Sequence, residues 1–196
     1  MRKLIYAYDF HIHMNLKAVI LNCTLKRSPE ISNTRALIDK AVKLFQEKGV
    51  ETEVIRVVDH NVRFGVSSDE GDGDEWPEIL KKIKACNILI IGSPIWFGVR
   101  SAVAQLVLER LDGTYDESNP ETGQFPLYGK VGGVVITGNE DGAHNVAAHT
   151  LFNLSHLVPF RLMLIPTGSV MQVPVRAISK QVEISTFIRT RPLDTW

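Results

Sequence analysis

Residues 88–91 form an unbroken apolar run, Ile-Leu-Ile-Ile, closed by Gly92 and followed directly by Ser93, Pro94, Ile95, Trp96, Phe97 and Gly98. A short run rich in β-branched side chains and closed by glycine reads as a strand buried on both faces. Such a strand belongs to a parallel sheet with helices on either side. In an open sheet of that kind, ligands sit just beyond the carboxyl ends of the strands. This strand ends in proline, two aromatic residues and a glycine. They offer a flat wall and a backbone that a planar ring can approach closely.

The rest of the chain alternates strand and helix patterns. Residues 16–23 read as a first strand. Residues 33–48 carry Ala36, Leu37, Ala41, Leu44 and Phe45 at helical spacing, with Gly49 where a C-cap belongs. Residues 51–58 read as a second strand and 74–85 as a helix, with Asp74 as N-cap and Pro77 in its first turn. Strands at 87–92 and 131–137 and helices at 101–111 and 141–157 follow, and 158–165 is apolar enough for a fifth, edge strand. A βαβα series with right-handed crossovers gives a doubly wound three-layer α/β sandwich.

A chain of 196 residues is expected to form one domain with a substantial core. Lys plus Arg equals Asp plus Glu, 22 of each, so no net field draws the chain to nucleic acid or to an acidic membrane. No apolar run reaches membrane-spanning length, and residues 1–13 are too short and polar for a signal peptide. Cys23 and Cys86 form no CxxC and lie in apolar surroundings. They read as buried free thiols of a cytoplasmic protein, and two cysteines do not hold an iron–sulfur cluster in one chain.

Three loops fall at carboxyl ends of the predicted strands. The first, residues 24–34, is rich in hydroxyls and runs into a helix N-terminus, where free N–H groups and the helix dipole favour a phosphate. Thr24, Ser32 and Thr34 supply hydroxyls there, and Lys26 or Arg27 supplies charge. It is neither a Walker A loop nor GxGxxG, which disfavours a nucleoside triphosphate or a dinucleotide. The second loop is the stretch at 94–98. The third holds Thr137, Gly138, Asn139, Glu140, Asp141, Gly142 and His144, whose exposed backbone suits hydrogen bonding to a ring edge. Each loop alone is equally an ordinary capped turn, with Ser32 or Asn33 capping one helix and Asp141 another. Their force lies in sharing one sheet edge.

Other features weigh less. The acidic stretch 67–75 lacks the ligand register and final Glu of a calcium loop and reads as a solvated loop. His11 and His13 make a poor metal site, and no metal is expected. The turn-rich segment 113–129, with Tyr115, Phe125 and Tyr128, is open to reading as a substrate lid or an oligomer contact.

Together, Thr24 with Ser32-Asn33-Thr34, then Ile91-Gly92-Ser93-Pro94-Ile95-Trp96-Phe97-Gly98, then Thr137-Gly138-Asn139-Glu140-Asp141-Gly142 resemble the NADPH-dependent FMN reductase family of flavodoxin-like proteins, over about 16–157. The resemblance implies a parallel sheet of five strands in the order 2-1-3-4-5. It implies FMN, with its phosphate held by Thr24, Lys26, Ser32, Asn33 and Thr34. The isoalloxazine would lie between Pro94, Ile95, Trp96, Phe97 and Gly98 on one side and Thr137, Gly138, Asn139, Asp141 and Gly142 on the other. It further implies NADPH or NADH as reductant, a small-molecule electron acceptor such as a flavin or quinone, and a homo-oligomer. No catalytic acid or base is required of the protein, because the flavin accepts the hydride. A non-enzymatic electron carrier is the rival, although flavodoxins are strongly acidic and this chain is neutral. An inactive flavin-binding relic is the third reading.

Both ends depart from the family pattern. Residues 1–13 read as an extension before a domain at 14–166, with an atypical tail at 167–196. Codons compatible with Met163 to Arg176, read one base early, give Asn-Ala-Asp-Thr-Tyr-Trp-Val-Gly-Asp-Ala-Gly-Pro-Gly-Pro-Ser, a string that resembles the family at this point. The expectation is therefore a frameshift across 158–196, with a genuinely divergent native tail as the alternative.

Overall fold

The computed structural model describes residues 15–157. Strands β1 (Lys17–Asn22), β2 (Glu51–Arg56), β3 (Ile88–Trp96) and β5 (Val131–Thr137) build a parallel sheet in the order β2-β1-β3-β5. The apolar run at 88–91 is central as expected: Ile90 pairs with Ile20 on one side and Gly133 on the other. A two-residue strand, β4 (Val99–Arg100), folds back antiparallel on the end of β3.

The order of the parallel strands is the one expected, with β5 as the fourth of them. Two details differ. The fifth strand present is the β4 hairpin arm, while the parallel edge strand expected at 158–165 lies outside the described residues. The third strand also does not stop at Gly92. It runs through Pro94, Ile95 and Trp96, because β5 continues beside it, with Ser93 opposite Ile136 and Pro94 opposite Thr137.

Helix α1 (Asn33–Glu47) covers one face. Its Ile38 lies so close to Gly92 that a Cβ there would stand 2.6 Å from Ile38 Cδ1. Helices α2 (Trp76–Ala85), α3 (Ala102–Asp112) and α4 (Ala143–Leu157) cover the other, where Val19, Leu21, Leu89 and Ile91 join Trp76, Ile83, Val107, Leu111 and Leu154 in one core. Alternation along each strand sends these residues to one face and Ile20, Ile90 and Gly92 to the other.

Polar groups also enter this core. The fully buried guanidinium of Arg110 donates from Nη2 to Asp74 Oδ2 at 2.7 Å, from Nη1 to Arg63 O at 2.8 Å and from Nε to Ser67 O at 3.0 Å. It also lies 5.7 Å from the centre of the Trp76 ring, within cation–π range. Asp74 is not the N-cap expected of it: α2 starts at Trp76 with Glu75 in the cap position, because the Asp74 carboxylate is turned inward to Arg110. Its carboxylate accepts N–H groups of Arg63, Glu70 and Trp76, which organises the acidic stretch around a buried ion pair. Burial alone would raise its pKa, but Arg110 and these N–H groups outweigh burial and hold it well below the ordinary carboxylate range. The segment at 113–129 is fastened far from the loops of interest. Tyr115 stacks edge-on against Phe125 and its hydroxyl donates to His156 O at 2.6 Å, near the end of α4 remote from β5's carboxyl end.

Candidate functional site

All three loops arise from one sheet edge and are braced against each other. Cys23 N donates to Gly92 O at 2.8 Å, and Ser101 Oγ donates to Cys23 O at 2.7 Å, joining the first loop to the second. Thr34 and Thr137 share a hydroxyl hydrogen bond of 2.8 Å, both buried, joining the first to the third. Phe97 N donates to Glu140 Oε1 at 2.8 Å and Asn145 Nδ2 to Gly98 O at 3.0 Å, joining the second to the third. The third loop reaches the second only because of its glycines. A Cβ on Gly142, whose φ is +119°, would meet Gly98 O at 2.5 Å, and one on Gly138 would meet Ile95 Cδ1 at 2.7 Å.

Within the first loop, the hydroxyls already have protein partners. Ser32 is the N-cap of α1 and its Oγ accepts Arg35 N at 3.1 Å; it also receives Asn22 Nδ2 at 3.4 Å. Thr24 Oγ1 accepts Lys26 N at 3.4 Å. The first-turn N–H groups of Asn33 and Thr34 have no acceptor among the described residues, as expected for the first turn of a helix. Lys26 lies exposed beside them, with Nζ only 3.4 Å from Ile31 O. The loop is held from outside by two residues that the sequence reading missed. Asp59 accepts Ser28 N at 2.8 Å and Ser28 Oγ at 2.6 Å, and these bonds lower its pKa. Arg56 Nη1 donates to Glu30 O at 3.0 Å. Both lie at or just after the carboxyl end of β2, which is the signal that would have found them.

The second loop presents its aromatic residues to the outside. Trp96 is 53% exposed and Phe97 is 97% exposed, at a left-handed φ of +53°. An exposed phenylalanine in that conformation is strained and unusual. Ile95 instead points into a small core with Ile136, Ala143 and Val146. Pro94 is half-buried within β3. In the third loop Asn139 is exposed and Thr137 and Gly138 are buried. Asp141 does not cap α4 directly: its carboxylate accepts Gly142 N at 2.7 Å, and the helix starts at Ala143. Glu140, Asn145, Ser101, Arg56 and Asp59 are thus the residues that the sequence reading left out of the site.

An FMN would meet an open helix N-terminus for its phosphate, exposed aromatic side chains for its ring, and glycine-built backbone at its edge. The residues present fit that group. The sequence profile of the family described as NADPH-dependent FMN reductase matches residues 16–173. The chain belongs to this family, a class of FMN-dependent oxidoreductases, and its cofactor is FMN. The match runs beyond Leu157, where the resemblance was expected to end.

Particular relatives sharpen the class. The chain is 48% identical over 153 residues to the 8-demethyl-8-aminoriboflavin-5'-phosphate synthase of Streptomyces davaonensis, covering 74% of this chain and 59% of that protein. A crystal structure of RosB with bound 8-demethyl-8-formylriboflavin-5'-phosphate superimposes with a TM-score of 0.67 at 47% identity, over 73% of this chain and 60% of that one. The chain therefore spans about three-fifths of the length of these two relatives. A flavodoxin from the domain Archaea, 13% identical, superimposes with a TM-score of 0.51 over 84% of this chain and 90% of its own, which shows the shared fold. No described helix is long and apolar enough to cross a membrane.

Proposed function

We propose that the chain binds one FMN at this edge and acts as an NAD(P)H-dependent oxidoreductase, passing reducing equivalents to a small organic acceptor. The observation that carries this is the mutual bracing of three loops around exposed aromatic side chains and an open helix N-terminus, in a chain of this family. In this reading the N–H groups of Asn33 and Thr34, with Lys26, hold the phosphate. Ser32 and Thr24 act by shaping the loop. The Thr34–Thr137 bond can be donated from either hydroxyl; in this reading Thr137 is the donor, so that the hydrogen of Thr34 points at a phosphate oxygen. Trp96 and Phe97 flank the ring, with Pro94, Ile95 and Gly98 setting their turn. Backbone at Gly138, Asn139, Asp141 and Gly142 meets the ring's polar edge. Bound FMN supplies a ring that accepts a hydride and releases electrons singly or in pairs. The protein's part is to orient it, and rigid loops do so at little entropic cost.

A second reading has one observation in its favour, the 48% identity to a synthase whose named product is a flavin phosphate. In that reading the flavin phosphate at this edge is itself the substrate. The same experiment tests both. The purified chain is denatured, its chromophore identified, and the holoprotein incubated with NADPH or NADH and candidate acceptors. Nicotinamide oxidation with a flavin of unchanged mass supports the reductase. A changed flavin mass supports the second reading. A flavin that no nicotinamide reduces points to a carrier, and failure to bind FMN on reconstitution points to a relic.

Two further assignments belong to the proposal. Helix α4 contains no Asp, Glu, Lys or Arg and leaves Leu151 and Phe152 exposed, which supports a homo-oligomer. Cys23 and Cys86 are buried free thiols whose pKa burial raises, which suits a cytoplasmic protein.

A further inference from the structure

A cleft of about 300 Å³ lies between β4, the start of α3 and α4, lined by Val99, Arg100, Gln105, Asn145, Val146 and His149. Its lining meets the flavin edge only at Asn145, whose amide braces Gly98 O. We propose that this cleft binds the carboxylate of a small aliphatic acid, with Arg100 as its anchor. This inference does not depend on the flavin reading.

Arg100 is half-buried, and its guanidinium is fixed at two points by neutral partners. Nε donates to Gln105 Oε1 and Nη1 to Asn153 Oδ1, both at 2.7 Å. No carboxylate among the described residues comes within ion-pair distance of it. The acid that does act on it, Glu109, reaches it only through an amide, since Gln105 Nε2 donates to Glu109 Oε1 at 2.7 Å. Burial lowers the pKa of Arg100, the mark of a cation that has lost water without gaining a direct counter-ion. Arg110 is the internal contrast: equally held, but closed by Asp74. A guanidinium has five N–H donors, and two of those on Arg100 are committed. Nη2 keeps both its N–H groups and Nη1 keeps one, and these are donors that a carboxylate can take up.

Single positive charge favours a monoanionic group over a phosphate dianion. Val99 and Val146 offer apolar wall for a short aliphatic stem. The volume stands at the lower end of the range for small-molecule sites, which limits the ligand to a few carbons. Asn145 gives its N–H to Gly98 O, so its carbonyl oxygen remains for a second polar group on the ligand.

The test titrates the full-length protein, as purified with its flavin, with butyrate, glutarate and inorganic phosphate by calorimetry, and measures its oligomeric state by sedimentation. We expect one carboxylate per chain, no comparable binding of phosphate, and at least about tenfold weaker binding in Arg100→Gln. Val99→Phe, which keeps the arginine and fills the cleft from its exposed side, should weaken binding as well. Absence of saturable carboxylate binding, equal affinity for phosphate, or unchanged affinity in both variants overturns the proposal. So does a fall in oligomeric state in Arg100→Gln without carboxylate binding, which would make this face a contact between copies of the chain.

Discussion

Around Arg110 all three guanidinium nitrogens have acceptors, and both oxygens of Asp74 have donors, deep under the helices α2 and α3. At the carboxyl edge of the sheet the opposite holds. Hydroxyls there brace one loop against another, yet first-turn N–H groups, a lysine and two large aromatic side chains remain open to the outside. The first region resolves its polarity within the chain. The second leaves part of it for a ligand. The contrast separates residues whose loss unfolds the protein from residues whose loss empties it.

The largest expected effect falls in the closed region. Arg110→Met should lower stability by about 3–5 kcal/mol, because it leaves the Asp74 carboxylate buried without its partner. Urea denaturation measures this, and FMN affinity of the folded fraction should stay near wild type. A large loss of FMN affinity in the folded fraction would show that the two regions are not independent. Acid unfolding provides a second probe. Asp74 has a folded pKa below its ordinary value of 3.8, so its stabilisation is fully present above that value and is lost as pH falls through the folded pKa. Wild type should therefore lose stability more steeply below about pH 4 than Asp74→Asn.

Effects in the open region should appear in affinity. Trp96→Ala should weaken FMN by roughly tenfold and alter flavin fluorescence, with stability changed by no more than about 0.5 kcal/mol. Unchanged affinity and spectrum would make Trp96 a surface residue only. Thr137→Val should weaken FMN by about fivefold, one neutral hydrogen bond's worth, although Thr137 is buried and acts through Thr34. A smaller loss is expected for Asp59→Asn, which loosens the hold on Ser28 from outside the loop.

Much of this was legible in the sequence because period and punctuation agree. The run at 88–91 and the strand at 131–137 stand where expected, and Gly49, at φ +73°, ends α1 as a C-terminal glycine should. The loop residues were legible as a set, since each follows a recognisable strand. Their individual roles were not. Ser32 and Thr34 carry hydroxyls suited to a phosphate; the fold decides for Ser32 over Asn33 as the cap and alone reveals that Thr34 pairs with Thr137, 103 residues away. The continuation of β3 through Pro94 was hidden for a similar reason. It depends on pairing with β5, and a proline suggests an ending to a reader of local sequence. Asp74 reads in the sequence as a helix cap and nothing there singles out Arg110; their meeting inside the core is a tertiary fact.

Whether the open region is built around a phosphate-bearing flavin is decided by comparing FMN with riboflavin. The two share a ring and differ in the phosphate. Titrated into the flavin-free protein, FMN should bind one per chain and more than about a hundredfold tighter than riboflavin, since two or more charge-assisted hydrogen bonds depend on the phosphate. Riboflavin binding as tightly as FMN, or neither binding at all, would contradict the account.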